Sequence, residues 1–308
     1  MSRASVVGML VAAEVLIVGL AIYSVGGGAS FASSMQRVDF SAATIAPVEA
    51  GASPHVVIDD PESRVRVGLS NDGLIHVRDL TEMHGAVYSS GKYPQLHVTR
   101  TPDGVRIERP GNGRLSIEIF GFSTQAIQVD IPAGARLEIE KASGAEVFGV
   151  NGGVSVHSVD GHVTLNDLQG TVEARSDDGY IKATNVRGDR LTLRSNDGHI
   201  TLDNVAVTSL DASTSDGRIE ADDLGVTTDG TLQTGDGSIQ LKFAPNSDLT
   251  VDASTRDGRI SVDGTSIDRD DSAQRTIRLG AGTGSMKVAT ADGSIHILTN
   301  GVTQSDGL

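Results

Sequence analysis

Seven Asp-Gly-x-(Ile/Val) motifs recur through the C-terminal half of the chain, at Asp160-Gly161, Asp178-Gly179, Asp197-Gly198, Asp216-Gly217, Asp236-Gly237, Asp257-Gly258 and Asp292-Gly293. Regularly spaced carboxylates first suggest calcium. Calcium-binding solenoid turns, however, use a nine-residue Gly-Gly-x-Gly-x-Asp repeat in which successive turns share each ion. Here each corner has one Asp, with neither the glycine pair nor that spacing. A column of Asp160, Asp178, Asp197, Asp216, Asp236 and Asp257 at about 5 Å separation costs under ~1 kcal/mol per neighbour in water, so it needs no metal. No cofactor or metal is expected.

Beside the carboxylates runs a second row: His162, Tyr180, His199, Arg218, Ser238, Arg259 and Ser294. The residue after each is Val or Ile and points inward, so this row points out. His162, Tyr180, His199, Arg218 and Arg259 form a candidate binding strip for a polysaccharide or protein, and the competing reading is a solvated face. His162 and His199 lie too far apart along the repeat to share a zinc ion. Asp177-Asp178 and Asp222-Asp223 are neighbours on a strand and so face opposite ways, which suits paired acid/base work poorly. With no cysteine there is no thiolate chemistry. No nucleophile-elbow, zincin or phosphate-loop motif appears, so no catalytic residue is assigned and no enzyme is expected.

The elements that position these residues follow from the spacing. Asp-Gly-x-(Ile/Val) recurs at intervals of 18, 19, 19, 20, 21 and 35 residues. Apolar doublets such as Ile181/Ala183, Leu191/Leu193, Ile200/Leu202 and Leu210/Ala212 lie half a period apart, each placing one strand face inward. Stacked coils would build ladders of Ile, Val and Leu, with Leu168, Val186, Val205 and Leu224 filling a corner. The expected architecture is all-β: a two-strands-per-coil β-solenoid of about 19 residues per coil over 127–300. At each corner glycine would supply positive φ, and Asp would accept hydrogen bonds from turn amides. Thr265–Gln274 reads as a polar surface loop interrupting the last interval, and 301–308 as a polar tail.

Upstream, 55–126 reads as a region of short strands, with alternating runs such as Val65-Arg66-Val67 and Val105-Arg106-Ile107 separated by Asn71-Asp72-Gly73 and Pro102-Asp103-Gly104. Residues 33–54 read as a linker. Residues 1–32 contain an apolar run, Val6–Val25, preceded by Arg3 and interrupted by Glu14. Such a run spans a bilayer as a hydrophobic helix with its basic flank inside. The expectation is a single-pass membrane anchor through 6–25 with the rest extracytoplasmic; the alternative is a signal peptide cleaved near Ser30-Phe31-Ala32, giving a secreted or periplasmic protein.

Composition agrees with short strands and tight turns: 37 glycines, no tryptophan, and aromatics at 3%. A net charge of −15 makes nucleic acid an improbable partner. Ile127-Gln128-Val129-Asp130-Ile131-Pro132-Ala133-Gly134-Ala135-Arg136-Leu137 resembles the entry into the repeat domain of the bacterial toastrack-type adhesin family, whose members continue in Ser-Gly-x-Ile or Asp-Gly-x-Ile turns. Ser143-Gly144, Asn151-Gly152-Gly153-Val154 and the Asp-Gly corners carry the likeness over about 115–300. The resemblance implies the repeat architecture and an adhesin-like role, and it supplies no catalytic residue. The functional expectation is a cell-envelope structural or binding module whose partner is an unidentified envelope protein or glycan. The alternative is an envelope-polysaccharide enzyme on the same scaffold.

Overall fold

The computed structural model describes residues 35–40, 43–49, 51, 53–89, 95–110, 116–267 and 273–299. The apolar run 6–25, the proposed cleavage site and the tail 301–308 lie outside these residues. Every named element among them is a strand. No helix among the described residues is long and apolar enough to cross a membrane.

The chain divides into two compact units. The first holds a three-stranded antiparallel sheet of Met35–Phe40, Glu82–Ser89 and Ser116–Thr124. The second gathers 42–80, 96–110 and 125–308, and its strands form one continuous sheet.

In the second unit the two-residue alternation becomes a parallel stack. Strand Ile181–Ser195 buries Ile181, Ala183, Val186, Leu191 and Leu193 while the intervening residues face outward or lie partly covered. It pairs in parallel with Ile200–Thr214, placing Ile181 opposite Ile200, Ala183 opposite Leu202 and Leu191 opposite Leu210. Ile200 sits opposite Ile219, and Ile219 opposite Ile239. Buried apolar residues therefore stack in columns, with isoleucine on isoleucine at 181, 200, 219 and 239, as the periodicity predicts. The central rungs carry three paired segments where two were expected, because 186–188 also pairs with 205–207 between the two longer runs. The extra segment holds the buried corner residues Val186, Val205 and Leu224.

The first corner of each rung is made by Asp167, Asn185, Asn204 and Asp223, at φ between 50° and 56°. Asp and Asn are the side-chain-bearing residues that best tolerate this left-handed conformation. Their side chains also bond to one another: Asn185 Nδ2 donates to Asp167 Oδ1 at 2.9 Å, and Asn204 Nδ2 to Asn185 Oδ1 at 2.7 Å.

The Asp-Gly corners work differently from the expectation. None of their glycines has positive φ. They are required instead because the backbones touch. A Cβ at Gly179 would meet the Gly161 carbonyl oxygen at 2.0 Å, and one at Gly198 would meet Gly179 O at 2.0 Å. Nor does Asp supply the acceptor for the turn amide. The hydroxyl three residues before the glycine accepts it, Ser195 from Gly198 N–H at 3.0 Å and Ser176 from Gly179 N–H at 2.9 Å. The same hydroxyls donate to the glycine carbonyl of the preceding rung, Ser195 to Gly179 at 3.0 Å and Thr214 to Gly198 at 2.9 Å. The repeat is therefore (Ser/Thr)-x-Asp-Gly, with a buried hydroxyl column joining the rungs.

The last rungs are not stacked in chain order. Ile239 lies opposite Ile295, and Ile295 opposite Ile260. Strands Gly284–Asp292 and Ile295–Leu298 are thus inserted between the rung 229–243 and the rung 249–262. The hydroxyl column agrees: Thr290 donates to Gly237 O at 2.9 Å and Thr255 to Gly293 O at 3.0 Å. Residues 265–267 pair antiparallel with 260–262, and Ala273–Leu279 antiparallel with 249–255. The described part of the expected loop Thr265–Gln274 is therefore largely strand.

At the other end, strand His55–Leu69 pairs in parallel with Arg136–Phe148. Antiparallel strands His97–Thr101 and His76–Asp79 follow beyond it. The parallel stack thus runs across the boundary drawn at residue 127 from the sequence. Beneath it sits a buried charge cluster in which Arg109 donates to Asp60 at 2.8 Å and to Asp79 at 3.0 Å, all three at most 5% exposed. Ser63 Oγ also donates to Asp60 at 2.8 Å.

Candidate binding strip

The main-chain bonds that close each Asp-Gly corner fix the order of the strip. Val163 N–H donates to the carbonyl of Tyr180, Ile181 to that of His199, Ile200 to Arg218, Ile219 to Ser238, Ile239 to Ser294, and Ile295 to Arg259. His162, Tyr180, His199 and Arg218 are therefore consecutive, as expected, and all are exposed. Arg259 is the exception. Ser238 and Ser294 separate it from Arg218, so it lies three rungs away, about 14 Å at 4.8 Å per rung. The Asp column is reordered in the same way, with Asp292 opposite Asp257.

Local contacts organise the strip. The rings of His162 and Tyr180 stack with centroids 3.9 Å apart and planes 16° from parallel. The Arg218 main-chain N–H donates to His199 Nδ1 at 3.1 Å, which fixes that imidazole as an acceptor on this nitrogen. The Arg218 guanidinium reaches Glu220 at 2.9 Å. Because the two rings stack along the column, each covers one face of the other. Edges of imidazole and phenol offer hydrogen bonds; an open ring face, the usual sugar platform, is less available.

The remaining candidate chemistry is dispersed. Asp177 accepts from Arg175 at 3.3 Å and lies 3.4 Å from His157 Nε2. Asp222 accepts from Lys242 at 2.7 Å, which holds that ammonium above its ordinary range. Asp223 is a left-handed corner. Neither adjacent acidic pair faces a common point. Among the described residues no three His, Asp or Glu side chains converge as a metal site.

Sequence reasoning missed a polar depression of about 480 Å³ on the other outward face. Asp229, Gly230, Thr231, Asp252, Ser254, Gln274, Ser285, Met286 and Lys287 line it. Lys287 is opposite both Thr231 and Asp252, so the depression exists only because the rung 284–298 is inserted out of order. Asp229 accepts from Ser209 at 2.6 Å and Asp252 from Thr276 at 2.7 Å. No sequence signal marks this site, since its residues come from four strands brought together by the topology.

No curated protein matches the chain. A solved structure of a putative cell adhesion protein from Clostridium sporogenes aligns over 84% of this chain and 98% of its own, at 9% identity and a TM-score of 0.25. One of a putative adhesin from Bacteroides fragilis aligns over 84% and 96%, at 12% identity and a TM-score of 0.44. Residues 69–298 match the model of the Toastrack DUF4097 family, which begins well before the repeat recognised in the sequence, and the chain belongs to that family.

Proposed function

We propose that this protein is an exported, membrane-anchored β-solenoid, with coils of about 19 residues, that serves the cell envelope as an adhesin-like binding or structural module. The observation that carries the reading is the ordered strip of His162, Tyr180, His199 and Arg218, held in register on consecutive rungs of a stiff parallel stack. A rigid scaffold presenting pre-ordered side chains loses little entropy on binding. Tyrosine and arginine are the residue types that most often anchor interfaces. Stacked rings, a guanidinium and flanking carboxylates suit a polar envelope glycan or protein surface. The apolar run Val6–Val25 behind Arg3 supports a single-pass anchor with the stack outside.

The test compares the intact chain with a Tyr180→Ser, Arg218→Ser, Arg259→Ser variant for attachment to cells, glycans and envelope extracts at two salt concentrations. A recognition strip predicts weaker attachment by the variant, with Tyr180 and Arg218 contributing jointly and Arg259 independently. Equal attachment by two folded proteins would exclude this face. For topology, a C-terminal alkaline-phosphatase fusion is expected to be active and a cytoplasmic reporter silent; the reverse pattern overturns the export reading.

A further inference from the structure

The rung 284–298 occupies a slot between two rungs that precede it in the chain. Those two rungs carry apolar residues or threonine at several matching positions. Leu232, Val288 and Ala253 share one column, Thr234, Thr290 and Thr255 another, and Ile239, Ile295 and Ile260 a third. The rung 249–262 therefore satisfies the same repeat and can close onto 229–243 when the inserted rung leaves.

What selects the inserted rung is volume. Gly230 stands where the preceding rung has Leu210, and Met286 lies over it, with Cγ 3.1 Å from a Cβ position at Gly230. Met286 is 2% exposed. In chain order Val251 would face Gly230 and leave space that the longer, flexible methionine fills. The slot thus has a specific key, and every copy of the chain carries it.

The tether on the N-terminal side of the rung is Gly280–Thr283. Gly280 and Gly282 are left-handed, at φ 61° and 69°. The turn is held by exposed contacts: Thr283 Oγ1 donates to Asp248 Oδ2 at 2.9 Å, and Arg278 Nε donates to Ala281 O at 2.9 Å. Contacts this exposed open at low cost.

We infer that the rung 284–298 is exchangeable, and that its second acceptor is the same slot in another copy of this chain, giving a strand-exchanged dimer. The exchanged dimer makes the same main-chain bonds and the same Gly230–Met286 contact as the monomer, so the two differ mainly in the tether and in concentration.

The chain has no cysteine, which makes a cross-linking test clean. Two full-length single variants, Thr231→Cys and Lys287→Cys, are unfolded in denaturant, refolded together in detergent over a range of concentrations, and oxidised. Positions 231 and 287 are direct register partners. Exchange predicts a 231–287 disulfide-linked heterodimer whose yield rises with concentration, severalfold above that from Thr231→Cys mixed with Lys182→Cys, an exposed position on the other outward face. A double Thr231→Cys, Lys287→Cys chain that closes its disulfide within the monomer shows that both variants fold. Heterodimer yield at the Lys182 background at every concentration, with that intrachain disulfide formed, overturns the inference.

Discussion

Replacing Gly198 by alanine tests the physical account of the repeat most directly. The added Cβ would sit 2.0 Å from the Gly179 carbonyl oxygen, 2.5 Å from its carbon and 2.7 Å from Ser195 Oγ. The first two are main-chain atoms, so no side-chain rotation relieves the overlap. Restoring van der Waals distance means opening the rungs by more than an ångström at this corner. That opening stretches Ser195 Oγ–H to Gly179 O, now 3.0 Å, and Ile181 N–H to His199 O, now 2.9 Å, beyond hydrogen-bonding range. Two lost bonds at about 1 kcal/mol each, with about 1–3 kcal/mol of overpacking, give an expected destabilisation of about 3–5 kcal/mol. Gly264 is the control: its φ is +80° and nothing lies within 4 Å of its Cβ position. Gly264→Ala therefore carries only the left-handed backbone cost of about 1–2 kcal/mol. Urea unfolding at constant m-value reads both. A Gly198→Asn variant adds a second arm, because asparagine would rescue a positive-φ requirement but worsens a close approach. Gly198→Ala costing no more than Gly264→Ala, or Asn tolerated at 198, would refute the close-packing argument.

Ile200→Asp buries a charge at a position with 0% exposure and is expected to cost several kcal/mol in thermal or urea unfolding, whereas His199→Asp, exposed on the next residue, changes little; equal effects would put the strand register wrong by one. Arg109→Ala strands the buried carboxylates of Asp60 and Asp79 and is expected to cost about 3–5 kcal/mol, while Arg66→Ala, which breaks an exposed pair with Glu146, costs under about 1 kcal/mol by the same measurement. Main-chain and side-chain hydrogen bonds from Thr283 hold the Asp248 carboxyl below the usual carboxylate range. Its stabilisation of the turn at 280–284 is therefore fully present above the unfolded Asp range and is lost as pH falls through the lowered value. Amide exchange at Thr283 should quicken on acidification relative to its intrinsic rate in the native protein and not in Asp248→Asn; identical profiles would remove Asp248 from the tether.

Much of the architecture was written in the chain. The inward columns of Ile181, Ile200, Ile219 and Ile239, the outward row beside them and the buried corner at Val186 and Val205 follow from residue spacing, because an extended strand alternates faces whatever surrounds it. The hydroxyl column was equally visible, as Ser or Thr three residues before every corner glycine, but only its geometry reveals that it bonds successive rungs. The role of glycine could not be read, since positive φ and close backbone approach leave the same letter in the sequence. The Asn and Asp corners at 185, 204 and 223 had a signal in their residue types, masked by the more conspicuous Asp-Gly repeat. Three decisions belonged to the tertiary structure alone. Strand His55–Leu69 joins the stack although its sequence lacks the corner motif, because parallel pairing depends on main-chain groups and an alternating buried face. The polar depression around Lys287 gathers residues from four strands that no local pattern connects. The rung 284–298 enters between 229–243 and 249–262 because every rung satisfies the same pairing rules. A periodic sequence specifies what a rung is but leaves rung order degenerate, and here the volume match between Gly230 and Met286 favours one order over the other.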